Sequence, residues 1–218
     1  MKTSARGIAA IAQHEGVVPA PYLDSVGVWT FGVGHTAAAG GLDPAKLPRG
    51  MPGDVDLAIE KAIRVFKSDL ETYEARVKKH VTAPLKQHQF DALVSFDFNT
   101  GGIWYRNKKT DKMAHAKIVQ HLNMGDIEAA GDAFMGWLKP PEIKNRREGE
   151  QELFRSGTYP QKSITVWNVT LHGKIKGAAY QIGHAEFLRR MGEKTGPVSQ
   201  WGGWRSWWSQ MFKRWRIF

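Results

Sequence analysis

EGVVPAPYLDSVGVWTFGVGHT occupies residues 15–36, from Glu15 to Thr36. Glu15 closes an apolar helical run, Asp24 follows nine positions later, and Thr30 six positions after that. Gly27, Gly32 and Gly34 punctuate an aromatic and β-branched segment, the pattern of a small hairpin. A carboxyl on a helix end and a second on a facing strand can flank one glycosidic oxygen. Two carboxyl groups in different environments are what acid-assisted cleavage of a sugar–sugar bond requires. In that chemistry Glu15 would be the general acid, holding its proton until the leaving oxygen arrives. Asp24 would stay ionised, to orient a water or to stabilise positive charge at the anomeric carbon, and the Thr30 hydroxyl would hold that water. Spacing alone does not separate this arrangement from two surface carboxylates near a helix end and a turn.

Working outward, residues 4–14 read as a helix with Ser4 as N-cap and Ile8, Ile11 and Ala12 on one face. Beyond the hairpin, residues 37–53 form a loop rich in Gly and Pro. Asp54 is the expected N-cap of a long helix to about Lys79, striped by Leu57, Ile59, Ile63, Phe66 and Leu70. A second helix from about Leu85 carries Phe90, Leu93, Val94 and Phe98 and stops at Asn99-Thr100-Gly101-Gly102. Arg106–Lys112 reads as a basic loop. Helices are expected near 114–123 and 127–138, and Pro140-Pro141 breaks the chain before a helix from about Asn145 to Arg155. Later, Ser163–Leu171 suggests a strand, His172-Gly173 a turn, and Ala185–Met191 one or two helical turns. The fold of the rest of residues 160–200 stays open at this level. No internal repeat is evident.

The bulk properties bound the class. With 218 residues, 42% hydrophobic and 24% charged, the chain can bury one substantial core or one domain with an appendage. It has no cysteine, so nothing depends on disulfides or thiolates. Its N-terminal apolar run is too short to span a bilayer and leads directly into Glu15; it reads as the first helix, not as a signal peptide. The charge is unevenly placed. Residues 1–155 carry 21 Lys and Arg against 19 Asp and Glu, a balance of +2, whereas residues 156–218 carry 10 against 2, a balance of +8. Five of the nine Trp fall in the last eighteen positions as well. Such asymmetry points to a polyanionic partner for the tail.

The wording of residues 15–36 closely resembles the catalytic hairpin of the phage-type, T4-lysozyme-like glycoside hydrolases (family 24). Tyr22-Leu23-Asp24 and Gly27-Val28-Trp29-Thr30-Phe31-Gly32-Val33-Gly34-His35-Thr36 carry that likeness. Two further blocks follow in the right order. Gln89 to Gly101 resembles the family's central helix ending in an FNxG-type stop, and Arg146-Arg147-Glu148 through Tyr159 resembles its closing helix. The resemblance implies an α+β, mainly helical lysozyme-like fold over residues 1–159, with a small β-hairpin lobe and a helical lobe. Residues 160–218 then form a basic C-terminal extension. It also implies an endolysin that hydrolyses the β-1,4 bond between N-acetylmuramic acid and N-acetylglucosamine in peptidoglycan, with inversion at the anomeric carbon. On that reading Glu15, Asp24 and Thr30 are catalytic, and Phe98 and Asn99 belong to the wall of the sugar cleft. Arg146 is placed near Glu15 as an ion-pair partner. Such a pair would favour the ionised carboxylate and oppose the acid role unless burial outweighs it.

His35, after Gly-x-Gly at a strand end, is expected to pair with an acidic residue of the long helix and not to act as a catalyst. His14 should face outward. No His falls in an H-x3-H or HExxH pattern, so neither a metal nor another cofactor is expected, and GVGH lacks the later Gly and Lys of a phosphate loop. On a helix over residues 201–218, Trp204, Trp207, Trp208, Met211, Phe212 and Trp215 fall on one face. Lys213, Arg214 and Arg216 lie among the polar remainder. That division describes an interfacial helix for an anionic membrane or a lipopolysaccharide surface, and no nucleic acid is expected as a partner. The protein is expected to be a monomer, made in the bacterial cytoplasm without a signal peptide. It would act on peptidoglycan in the periplasm, and peripherally at the membrane through the tail. Two rival readings stand beside this one. A lytic transglycosylase needs the Glu but no water-activating Asp, and a catalytically silent wall- or membrane-binding protein would kill through its tail alone.

Overall fold

The computed structural model describes residues 1–192; the Trp-rich stripe Trp204–Arg216 lies outside the described residues. Helix α1 spans Ala5–Glu15. Ser4 caps it, its Oγ accepting from Gly7 N at 3.0 Å. Gly16 ends it with φ +74. A three-stranded antiparallel sheet follows: β1 (Val18–Leu23), β2 (Trp29–Gly32) and β3 (His35–Thr36). Tyr22 pairs with Thr30 and Leu23 with Trp29, but the register shifts between Val18 and Tyr22. Pro19 and Pro21 lie inside that shift and have no N–H to give the ladder.

Helix α2 (Val55–His80) is capped by Asp54, whose Oδ1 accepts from Leu57 N at 2.9 Å. Its buried stripe is Ile59, Ala62, Ile63, Phe66, Leu70 and Val77. Leu57, expected in that stripe, is exposed on the first turn. The N-terminal half of α2 packs under the sheet, where a Cβ on Gly32 would lie 3.2 Å from Ala62. Helix α3 (Gln87–Thr100) is the centre of the molecule, with every residue from Gln89 to Asp97 buried. A helix buried on all faces needs partners for its polar side chains. Asp91 accepts from the Ser4 backbone N–H and hydroxyl, from Gln87 and from the Tyr159 hydroxyl. Asp97 accepts from Ile103 N and Arg76. Gly101, left-handed at φ +61, stops α3 where the Asn-Thr-Gly-Gly signal predicts.

The expected basic loop is a hairpin. Strands β4 (Trp104–Asn107) and β5 (Lys112–His115) pair antiparallel across a turn in which Asp111 takes φ +53. The short helices α4 (Lys117–Asn123) and α5 (Ile127–Asp132) lead to α6 (Lys144–Ser156), which packs on α3. Beyond it, β6 (Ile164–Val169) and β7 (Ile175–Ile182) form an antiparallel hairpin, followed by α7 (His184–Arg190). Ile164, Val166, Ile182 and Phe187 lie in the same core as α1, α2 and α3, so the start of the segment expected as an extension is packed into the body. Among the described residues no helix is long and apolar enough to cross a membrane.

Candidate active site

Glu15 is the last residue of α1, and its side chain keeps 33% of its surface exposed. One oxygen, Oε1, takes a 2.5 Å hydrogen bond from Nη1 of Arg146 on α6. Arg146 is itself buried, and its Nε donates to Oε1 of Glu150 one turn further along α6, at 3.1 Å. Glu150 also accepts from the Ser95 hydroxyl of α3 at 2.7 Å and from Nη2 of Arg147 at 3.0 Å. Arg147, fully buried, reaches on to the Asn99 side-chain oxygen at 2.9 Å. Glu15 therefore ends a chain of contacts that begins at the FNxG stop and passes through two guanidiniums and one buried carboxylate. Burial pushes the Glu150 carboxyl above its ordinary range, while Arg147 and Arg146 pull it back. With two guanidiniums and a hydroxyl donating to it, we treat Glu150 as the ionised partner of the cluster. That charge offsets part of the positive field of Arg146, leaving Glu15 a directed donor with less unbalanced charge behind it.

Asp24 sits in the turn between β1 and β2. Its Oδ1 accepts from Val26 N at 2.9 Å and Val28 N at 2.8 Å, an arrangement that fixes the carboxylate plane. Among the described residues no side chain or backbone N–H donates to its Oδ2. Thr30 is buried on β2, and its hydroxyl donates to the Val28 carbonyl at 3.1 Å. Tyr22, opposite Thr30, joins the two carboxylates electrostatically. Burial raises its phenol to about 12, and the charges of Glu15 and then Asp24 push in the same direction. One phenol thus feels both carboxylates.

A cleft of about 600 Å³ opens between the segment Val33–Leu42 and the α2–α3 pair, lined by Asp69, Tyr73 and Phe98 among others. Of the residues predicted from sequence it takes in His35 and Phe98, whereas Glu15, Asp24 and Thr30 lie outside its lining. Phe98 stands edge-on to Phe66 at 5.4 Å and Tyr73 at 5.2 Å. Its neighbour Asn99 turns to the Arg147 network, so adjacent residues at the end of α3 connect the cleft to Glu15. His35 is buried. Its Nδ1 lies 2.9 and 3.0 Å from the two oxygens of Asp69, and its Nε2 lies 2.7 Å from the Leu42 carbonyl. Both ring nitrogens face oxygen, so His35 ties the rim loop to α2. His14 points outward and is exposed. Among the described residues no three His, Asp or Glu side chains gather as metal ligands.

Sequence reasoning passes over Glu150, Arg147 and Ser95. The available signal is the Arg146-Arg147…Glu150 spacing, which puts one carboxylate a helical turn from two cations. On an exposed helix that spacing reads as a surface ion pair, and only the packing of α6 on α3 turns it into a buried cluster.

Comparison with known proteins identifies the family. Residues 12–150 match the phage lysozyme family. The endolysin of Salmonella phage P22 is 34% identical over 160 residues, spanning 72% of this chain and 99% of that protein. A crystal structure of a P22 lysozyme mutant aligns with TM-score 0.57 and 32% identity, over 72% of this chain and 99% of the other. An endolysin from the Escherichia coli O157:H7 phage FAHEc1 aligns with TM-score 0.58 and 26% identity, over 74% and 98%. With its α+β, mainly helical lysozyme-like fold, the chain belongs to the phage lysozyme family.

Proposed function

We propose that this protein is a peptidoglycan-lysing muramidase in which Glu15 is the general acid and Asp24, with Thr30, handles the water. The observation that carries the reading is the pair of carboxylates held in unlike environments, Glu15 by a buried guanidinium and Asp24 by two backbone N–H groups. Glu15 is gripped at one oxygen by Arg146, and among the described residues nothing donates to its Oε2. Asp24 is oriented by two backbone N–H groups. Unlike environments of this kind let one carboxyl deliver a proton while the other stays charged. The bond broken is the β-1,4 link from N-acetylmuramic acid to N-acetylglucosamine. The proton goes to the leaving 4-oxygen, and water adds to the anomeric carbon from the opposite face with inversion. Phe98, beside the cleft, and Asn99, tied to Arg147, are proposed as wall and positioning residues. Digests of purified peptidoglycan test the assignment: free reducing muramic ends, first formed as the α-anomer, support it. Anhydro-muramic ends would instead mark a lytic transglycosylase.

The tail is proposed as a second, membrane-directed device. On a helix Trp204, Trp207, Trp208, Met211, Phe212 and Trp215 would share one face, and with the cations Lys213, Arg214 and Arg216 they would suit the headgroup region of an anionic membrane or lipopolysaccharide surface. Several relatives are SAR-endolysins, and the wall that a muramidase cuts lies in the periplasm; the tail would hold the enzyme beside it. Deleting residues 197–218 should abolish leakage of anionic vesicles and leave hydrolysis of purified wall intact. Unchanged leakage refutes the membrane role.

A further inference from the structure

The hairpin β6–β7 lies beyond the family match, which ends at residue 150. It touches the Glu15–Thr36 segment beside each of the three proposed catalytic residues. Next to Glu15, Val17 forms a parallel bridge with Val166: Val17 N donates to the Thr165 carbonyl at 2.8 Å, and Trp167 N donates to the Val17 carbonyl at 3.0 Å. The Trp167 indole rests on Gly16, where a Cβ would come within 2.3 Å of its Nε1. Next to Asp24, Leu23 N donates to the Gly173 carbonyl, in the β6–β7 turn, at 2.8 Å. Next to Thr30, the Trp29 ring lies against Gly173, where a Cβ would meet it at 2.5 Å. Between these points Val169 packs with Val18 and Ala20, and Trp167 and Tyr22 lean on the same cluster.

The catalytic sheet is poorly equipped to hold itself. Its strands are six, four and two residues long, and β1 carries two prolines at a register shift. So small a sheet is marginal unless it packs on something else. We propose that β6–β7 is a clamp that grips β1 at both ends and so fixes Glu15 relative to Asp24, with Trp167 and Gly173 as positioning residues. The clamp rests on the assignment of those two carboxylates. A displacement of about 1 Å between reacting groups costs on the order of 10²-fold in rate, so a loosened clamp shows in kcat first.

The test uses the full chain, purified peptidoglycan and rates expressed per folded molecule. Gly173→Ala puts a methyl into the Trp29 ring, and Trp167→Ala empties the site over Gly16. Each should lower kcat about tenfold or more with KM within about twofold. Adding Trp29→Phe, which removes the ring atoms that collide, should recover part of the Gly173→Ala loss, the strain of an alanine at φ +75 remaining. A purely structural hairpin would lower the melting temperature and leave kcat per folded molecule unchanged. If both single variants keep kcat within about twofold of wild type, the clamp is overturned. Should neither variant fold, the milder Trp167→Phe takes their place: kcat per folded molecule lowered severalfold supports the clamp, and kcat within about twofold of wild type refutes it. Glu15→Gln in the same assay separates the two claims. Activity retained there sinks the acid assignment, whereas unchanged clamp variants beside an inactive Glu15→Gln sink the clamp alone.

Discussion

Replacing Glu150 by Gln removes one negative charge from a buried cluster. Glu150 is 3% exposed and accepts from Ser95, Arg146 and Arg147, and the last two are themselves 5% and 0% exposed. The amide keeps the shape, but it presents an N–H₂ toward at least one guanidinium, leaves Arg146 with Glu15 as its carboxylate partner, and leaves Arg147 with none among the described residues. Removing one partner of a buried pair costs about 3–5 kcal/mol. At about 2–4 °C per kcal/mol for a chain of this size, the melting temperature should fall by about 6–20 °C. Stability is read by urea unfolding at neutral pH, with activity measured well below the new midpoint. Among the described residues Arg147 Nε and Nη1 have no hydrogen-bond partner, so Glu150→Gln with Arg147→Met should recover more than half of the lost stability. A single variant within about 1 kcal/mol of wild type, or a double variant as unstable as the two singles summed, would refute the cluster as the support of Glu15.

Tyr22 should titrate late. The phenolate absorbance of wild type minus Tyr22→Phe should show a midpoint of about 12, and Glu15→Gln should lower it; a midpoint at the ordinary tyrosine value of about 10 would contradict the site geometry. Since the folded value lies above the unfolded one, this contribution to stability is complete below about pH 10 and is lost as pH rises toward about 12. Tyr22→Phe should flatten that decline in alkaline unfolding curves. His35→Ala leaves Asp69 and the Leu42 carbonyl unpaired and should cost about 2–4 kcal/mol in urea unfolding, with a far smaller loss of kcat than Glu15→Gln. Equal losses of kcat would make His35 a catalyst and not a strut.

Much of this architecture is legible before folding because it is local. Asp54 as an N-cap, Gly101 as a left-handed stop and the Ile59–Leu70 stripe each depend on residues within a few turns of one another. The hairpin of residues 18–36 is written in its glycines and β-branched residues. What the chain hides is non-local or polar. The bridge from Val17 to Val166 joins residues far apart in sequence, and nothing in Ser163–Leu171 alone says which strand it will meet. Strand β7 is mostly exposed and carries Gly177, so it lacks the alternation that marks a strand. Strands β4 and β5 carry Arg106 and Lys112 on a solvated ribbon, and a run of cations there reads as loop. Glu150 is hidden for the opposite reason: its spacing is legible, but the burial that gives it consequence comes from α3.

The central claim is that Glu15 supplies the proton. The direct measurement is release of reducing ends from purified peptidoglycan by the full chain and by Glu15→Gln, at equal folded concentration verified by circular dichroism. A positioned general acid contributes about 10²–10⁴-fold, so Glu15→Gln should lose about that much kcat, while its binding to the wall and its vesicle leakage persist. If Glu15→Gln releases reducing ends within about threefold of the wild-type rate, Glu15 is not the acid and the account of this site is wrong.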